Sequence, residues 1–125
     1  MAGGGFKSGR VNPMDKALYV AYLTGAAGQT MALIYIGGGI IAGIDVGTMQ
    51  YDGSYAVRPD GSLEGTVEYV TPSGTTLITG VGLSTPTKVP IRLHLPASFA
   101  DGRVITFETP FGKVNARFEK LKDLP

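Results

Sequence analysis

The 125-residue chain contains no cysteine and no tryptophan, a single histidine, and charged side chains at only 17% of its positions. Without cysteine the chain can form no disulfide, thiolate metal site or cysteine nucleophile. This composition fits a reducing compartment, so we expect a cytoplasmic protein. The formal net charge is only +1. Nucleic-acid binding needs a concentrated basic face, so we expect no nucleic-acid partner.

Long uninterrupted hydrophobic runs are also scarce. Residues 17–44 lack charge, which by count is enough for a membrane-spanning helix, but six glycines and Gln29 divide the run into strand-length pieces. We therefore expect hairpins and no membrane contact. The glycine-rich start, 1–15, lacks the apolar stretch of a secretory signal and is predicted to be a flexible tail. The remainder, 16–125, has the size of one domain with one core.

Apolar segments of strand length recur between glycine-rich turns along the whole chain. This pattern is typical of a β-sandwich or barrel and not of βαβ units. The predicted strands are 17–24, 29–36, 40–46, 49–57, 63–71, 75–83, 88–95, 103–109 and 113–119. Two of these segments can form one bent strand, so we expect about eight strands. No amphipathic stretch of helical length is present.

Side-chain alternation distinguishes the late strands from the early ones. Leu93 and Leu95 alternate with Arg92 and His94, which predicts one buried and one wet face. The first two strands are apolar on both faces, so their outer side needs a cover, and we expect a homodimer through 17–24 or 29–36. A sheet without covering helices must stack or close. At this size we predict an all-β, antiparallel, closed barrel whose interior is packed or holds one small ligand.

Motifs that could support catalysis or cofactor binding are weak. Segment 37–42 matches the start of a dinucleotide-binding fingerprint, but no helix is predicted after it, so a hairpin turn is favoured. His94 is predicted to be solvated. Asp45 and Asp52 stand near glycines and are expected to accept backbone hydrogen bonds at turns, in preference to a cation site. We predict no catalytic residue, no cofactor and no metal.

Six tyrosines could line a binding cavity and orient a ligand through their hydroxyls. Alternatively, they are barrel and interface residues whose hydroxyls reach the rim. The predicted ligand-binding residues are Tyr19, Tyr22, Tyr35, Tyr55 and Tyr69.

Three segments resemble the GrlR-like family, named for a negative regulator of type III secretion gene expression in enteric bacteria. They are 17–22, the Gly-x-Asp at 43–45 that runs on to Tyr51-Asp52-Gly53, and 114–121. The resemblance implies a lipocalin-like, antiparallel eight-stranded barrel that tends to dimerise and acts by binding. In the family's regulator, an acidic run after the Tyr-x-Gly strand engages a transcriptional activator. The corresponding region here, 57–64, has only isolated acidic residues, so no activator-contact residue is transferred.

The leading hypothesis is therefore a non-enzymatic barrel that binds a regulatory protein partner. One alternative is a carrier of a small apolar ligand. The other is a barrel enzyme that uses the tyrosines with Asp45 or His94. An enzyme predicts an open interior with inward ionisable groups in contact, whereas a regulator predicts a packed or apolar interior and a large outer apolar patch.

Overall fold

A computed structural model describes residues 16–47, 49–71 and 74–125. Eight long antiparallel strands form one sheet, and two short strands form a separate hairpin. The strands are β1 (Lys16–Gly25), β2 (Gly28–Gly37), β3 (Ile40–Asp45), β4 (Gln50–Val57), β5 (Leu63–Thr71), β6 (Thr75–Thr76), β7 (Gly82–Leu83), β8 (Thr87–Leu95), β9 (Asp101–Thr109) and β10 (Gly112–Asp123). The spatial order of the large sheet is β8-β5-β4-β3-β2-β1-β10-β9. The predicted all-β antiparallel class with eight main strands is confirmed, while segment 1–15 lies outside the described residues.

The sheet curls into a half-barrel that stays open between β8 and β9. Within the described residues no hydrogen-bonded ladder joins these two edge strands, so the predicted closed barrel is wrong. The turn at 96–100 explains the opening. Hydrogen bonds from Phe99 N to Pro96 O and from Asp101 N to Ser98 O shape this turn, and it inserts the fully buried Phe99 side chain at the sheet edges. A tight two-residue hairpin would instead have paired the two strands.

The predicted strand 75–83 is wrong, because this segment folds back on itself as the β6–β7 hairpin. Leu77 N donates to Val81 O and Gly80 N donates to Leu77 O, so the chain reverses in the middle of the segment. Ala27 N, in the turn between β1 and β2, donates to Ile78 O at 2.6 Å. This bond holds the hairpin across one end of the half-barrel.

Aromatic rings close the opposite end. The Phe99 ring lies 5.1 Å from that of Tyr19 and 5.4 Å from that of Phe118, and Phe107 packs edge-on against Phe118 at 6.5 Å. All four side chains are buried. Aromatic pairs at such separations stabilise a core beyond the area that they bury. We refer to Tyr19, Phe99, Phe107 and Phe118 as the aromatic floor.

The predicted alternation is confirmed on β8, where Leu93 and Leu95 are buried while Arg92 and His94 are exposed. The expectation that the early strands are apolar on both sides is also confirmed. Large hydrophobic side chains remain exposed on the outer side of β1, β2 and β3, and we call this set the outer apolar face: Tyr22, Met31, Leu33, Ile40 and Ile44.

The uncharged run 17–44 folds as β1, β2 and most of β3, as predicted. No helix that is long and apolar enough to cross a membrane occurs in the described part of the chain.

A cavity on the concave face is the candidate functional site

The concave side of the half-barrel forms a half-open cavity of about 390 Å³. Its wall consists mainly of inward side chains from β2, β3, β5 and β8, with the aromatic floor below. The central apolar wall residues are Ile34, Ile36, Ile41, Val67, Ile91 and Leu93. Polar side chains from β2, the end of β3, the β6–β7 hairpin and β9 line the wall as well: Gln29, Thr30, Asp45, Thr76, Thr79 and Thr109. The cavity is therefore apolar along its body, with a limited set of polar groups that belong mostly to the hairpin end.

Asp45, at the end of β3, organises the turn between β3 and β4. Its Oδ1 accepts hydrogen bonds from the backbone N of Gly47 at 2.8 Å and of Met49 at 3.0 Å. Its Oδ2 accepts a hydrogen bond from the Tyr51 hydroxyl at 2.8 Å. Aspartate favours turns because its short carboxylate reaches backbone N–H groups two or more residues further along the chain. The predicted turn role of Asp45 is confirmed, and the same side chain forms part of the cavity wall.

Tyr51 and Tyr69 face each other across β4 and β5, with ring centroids 5.4 Å apart, and both line the cavity. Burial raises the pKa of Tyr51 far above its usual value, and the hydrogen bond to Asp45 and the charge of Asp45 raise it further. Burial also raises the pKa of Tyr69, again with a contribution from Asp45. Both phenols therefore stay protonated and neutral at physiological pH, as hydrogen-bonding groups in an apolar wall.

Only Tyr69 of the five predicted ligand-binding tyrosines lines this cavity. Tyr19 is buried in the aromatic floor, and Tyr55 packs half-buried against the core without lining the cavity. Tyr22 and Tyr35 lie on the outer side of the sheet, where the Arg117 guanidinium carbon sits 5.1 Å from the Tyr22 ring centroid.

Tyr51 and the Asp45–Tyr51 hydrogen bond were absent from the predicted site. One signal in the sequence could have found them. Asp45 ends an apolar strand and Tyr51 begins the next, six positions later, so a short turn brings the two side chains together. The apolar wall leaves no comparable signal, because an inward isoleucine beside a cavity has the same pattern as one in a packed core.

The remaining motifs have structural roles. Segment 37–42 contains the end of β2, the two-residue turn at Gly38 and Gly39, and the start of β3, so the favoured hairpin turn is confirmed. His94 is exposed on β8, as predicted. Asp52 is exposed on β4, so its predicted turn role is wrong: the residue pairs within the ladder, opposite Ala42 and Glu68. Within the described residues, no group of three metal-ligating side chains gathers.

Comparison of the chain with protein-family models, with curated proteins and with solved structures gives no match. The resemblance to the GrlR-like family stays a prediction.

Proposed function

We propose that the protein binds a small, mostly apolar molecule in the cavity, in a lipocalin-like manner. The cavity itself is the observation that supports this function. Protein cores contain few voids larger than a water molecule, whereas the volume here, about 390 Å³, falls among those of ligand sites. An apolar wall with a few polar groups is the usual composition of such sites.

The cavity volume limits the size of the ligand. At about 30 Å³ for each non-hydrogen atom, the share of a water molecule in the liquid, the space accommodates about a dozen such atoms. A decyl chain with one polar head has this size. Burial of its methylenes, at about 0.8 kcal/mol each, is the main favourable contribution to its binding.

The first test measures binding of 1-decanol to the full chain by isothermal titration calorimetry. We expect saturable binding of the alcohol. Ile91 lines the cavity and is only partly buried, so Ile91→Trp places an indole in the empty space and is expected to abolish binding. The matched control is Arg92→Trp, which adds the same ring at the next position, on the exposed face, and is expected to leave the affinity unchanged.

Equal loss of binding in both tryptophan variants, or no binding by the wild-type chain, would argue against a ligand in the cavity. Circular dichroism of both variants verifies that each retains its β-sheet.

Catalysis in the cavity is the alternative function, because Asp45 and Tyr51 are inward polar groups in contact. Three features favour binding. Asp45 directs two of its hydrogen bonds to its own turn, Tyr51 holds its proton tightly, and the described part of the cavity wall contains no histidine, lysine or second carboxylate. General acid–base chemistry needs a group that exchanges its proton near the working pH.

A second candidate function, association of two copies, is supported by the outer apolar face. Five large hydrophobic side chains on three adjacent strands stay between 37% and 56% exposed, and contiguous patches of this kind mark interaction sites. The register of the strands supports a second copy of this chain as the partner that covers the outer apolar face. One row across the sheet runs through Asp52 on β4, Ala42, Tyr35 on β2, Leu18 and Lys122 on β10.

In a dimer, two copies pack with their outer apolar faces together about a two-fold axis that runs parallel to β2, the central strand of this row. The rotation places Asp52 of each copy opposite Lys122 of the other, so the same ion pair forms on both sides of the axis. Asp52 also stands directly opposite Glu68 on β5, a like-charge pair that a cation from a partner relieves. Apolar side chains in the centre with opposite charges at the rim are the usual arrangement of a protein interface.

Sedimentation equilibrium at micromolar concentration tests this association. We expect a mass of twice the 13.0 kDa of the chain. Leu33→Lys, which places a charge at the centre of the patch, is expected to give the monomer mass. Thr66→Lys places the same charge on the outer side of β5, beyond the patch, and is expected to leave the dimer intact. A monomeric wild-type protein, or equal effects of both lysines, would contradict the proposal.

A further inference from the structure

We propose that the cavity ligand carries a positively charged amine at its polar end, which donates a hydrogen bond to the carboxylate of Asp45. This inference rests on the proposed function and specifies the chemical class of the ligand.

The first argument is the number of hydrogen bonds that Asp45 accepts. A carboxylate offers about four acceptor positions on its two oxygens. Two positions on Oδ1 are filled by the backbone N of Gly47 and of Met49, and one on Oδ2 by the Tyr51 hydroxyl. Counting donors from the described residues, one position on Oδ2 is left for a further donor. Since Asp45 is part of the cavity wall, a ligand in the cavity can supply this donor.

The second argument is charge. Asp45 is the one acidic or basic side chain in the described cavity wall, and none of the ion pairs between described residues includes it. Its neighbours Tyr51 and Tyr69 remain neutral phenols. A partly buried negative charge with hydrogen bonds but no counter-charge attracts a cation and repels an anion, and the apolar surroundings strengthen both effects.

The third argument is the second polar group beside Asp45. Tyr69 lies against Tyr51, and its hydroxyl makes no hydrogen bond to another described residue. An ammonium group has three donors, so it can reach Oδ2 of Asp45 and the hydroxyl oxygen of Tyr69 together. Two aromatic faces at this position add a further attraction for a cation.

Three ligands with the same decyl chain test the inference by calorimetry on the full chain at pH 7. Decylamine is a cation at this pH, 1-decanol is neutral and decanoate is an anion. We expect decylamine to bind at least about tenfold more tightly than decanol, because hydrogen bonds between charged groups are the stronger ones. Decanoate is expected to bind at least about tenfold more weakly than decanol.

The Asp45→Asn variant tests whether the preference for decylamine over decanol depends on this carboxylate. The amide oxygen of asparagine can still accept hydrogen bonds from the turn, so we expect the variant to keep the fold and lose only the charge. Decylamine should then bind within about threefold of decanol. The matched control is Asp60→Asn, at an exposed turn outside the cavity wall where the carboxylate accepts from the backbone N and the hydroxyl of Ser62. This control should keep the full preference for decylamine.

The outcomes separate the two proposals. If decanol binds but decylamine binds no tighter, or if Asp45→Asn retains the preference, the amine assignment is overturned and the apolar binding function stands. If neither compound binds the wild-type chain, both are overturned. Should Asp45→Asn fail to fold, the ranking of the three ligands on the wild-type chain decides the question alone.

Discussion

Phe99→Ala is expected to lower the free energy of unfolding by about 3–5 kcal/mol, the usual loss when a fully buried aromatic side chain is truncated. Phe99 has no exposed surface and packs against both Tyr19 and Phe118. It also closes the sheet end where β8 and β9 fail to pair, so its loss opens the core to water. Because small domains are stable by only about 5–15 kcal/mol, the change should be plain in urea denaturation at equilibrium.

The control for Phe99→Ala is Val104→Thr on neighbouring strand β9, where the side chain is 66% exposed. Threonine keeps the β-branched shape, so we expect a change within about 0.5 kcal/mol. If Phe99→Ala lowers the free energy of unfolding no more than Val104→Thr does, the fold does not depend on the aromatic floor.

Gly65→Ala is expected to lower the free energy of unfolding by about 3 kcal/mol or more, or to prevent folding. Gly65 faces inward on β5, opposite Tyr55 on β4. A β-carbon there would overlap the carbonyl oxygen of Ser54 and lie 2.8 Å from the Cα of Tyr55. These are backbone atoms that cannot rotate away, so the two strands would have to separate, and overpacking that shifts backbone is costly.

Gly28→Ala is the matched control, because the same methyl group there would meet only a side-chain carbon of Ile78 at 3.8 Å. We expect its midpoint in urea to differ little from that of the wild-type chain. Inward glycines at places of close backbone approach are typical of strongly bent sheets. A Gly65→Ala variant as stable as Gly28→Ala would show that β4 and β5 do not approach as closely as described.

The periodicity of the sequence predicts the positions of the strands well, but it does not predict whether the sheet closes into a barrel. On β8, polar residues alternate with leucines, and the burial of the strand follows directly from that alternation. Closure depends instead on how one turn packs. The burial of Phe99 in the 96–100 turn is a long-range contact with Tyr19 and Phe118 that local periodicity does not contain.

Segment 75–83 illustrates a second limit. Its threonines, isoleucine and valine favour a strand, yet glycines at 80 and 82 allow the chain to reverse. The hydrogen bond from Ala27 N to Ile78 O holds the resulting hairpin. Local propensity cannot reveal a partner fifty residues away.

The tyrosines show why a site is harder to predict than a fold. Strand alternation could have placed Tyr22 on the outer side, opposite in parity to Tyr19. Alternation cannot separate Tyr19 from Tyr69, since both face inward. Their difference in depth arises because Phe99 covers Tyr19 whereas empty space lies beside Tyr69.

The most direct test of ligand binding in the cavity follows isoleucine methyl resonances by nuclear magnetic resonance during titration with 1-decanol. Ile40 and Ile41 are neighbours on β3, yet Ile40 is 56% exposed on the outer face and Ile41 is 4% exposed in the cavity wall. We predict saturable shifts at Ile34, Ile41 and Ile91, with Ile40 and Ile44 unchanged. Shifts confined to Ile40 and Ile44, or none at all at saturating decanol, would contradict binding inside the half-barrel.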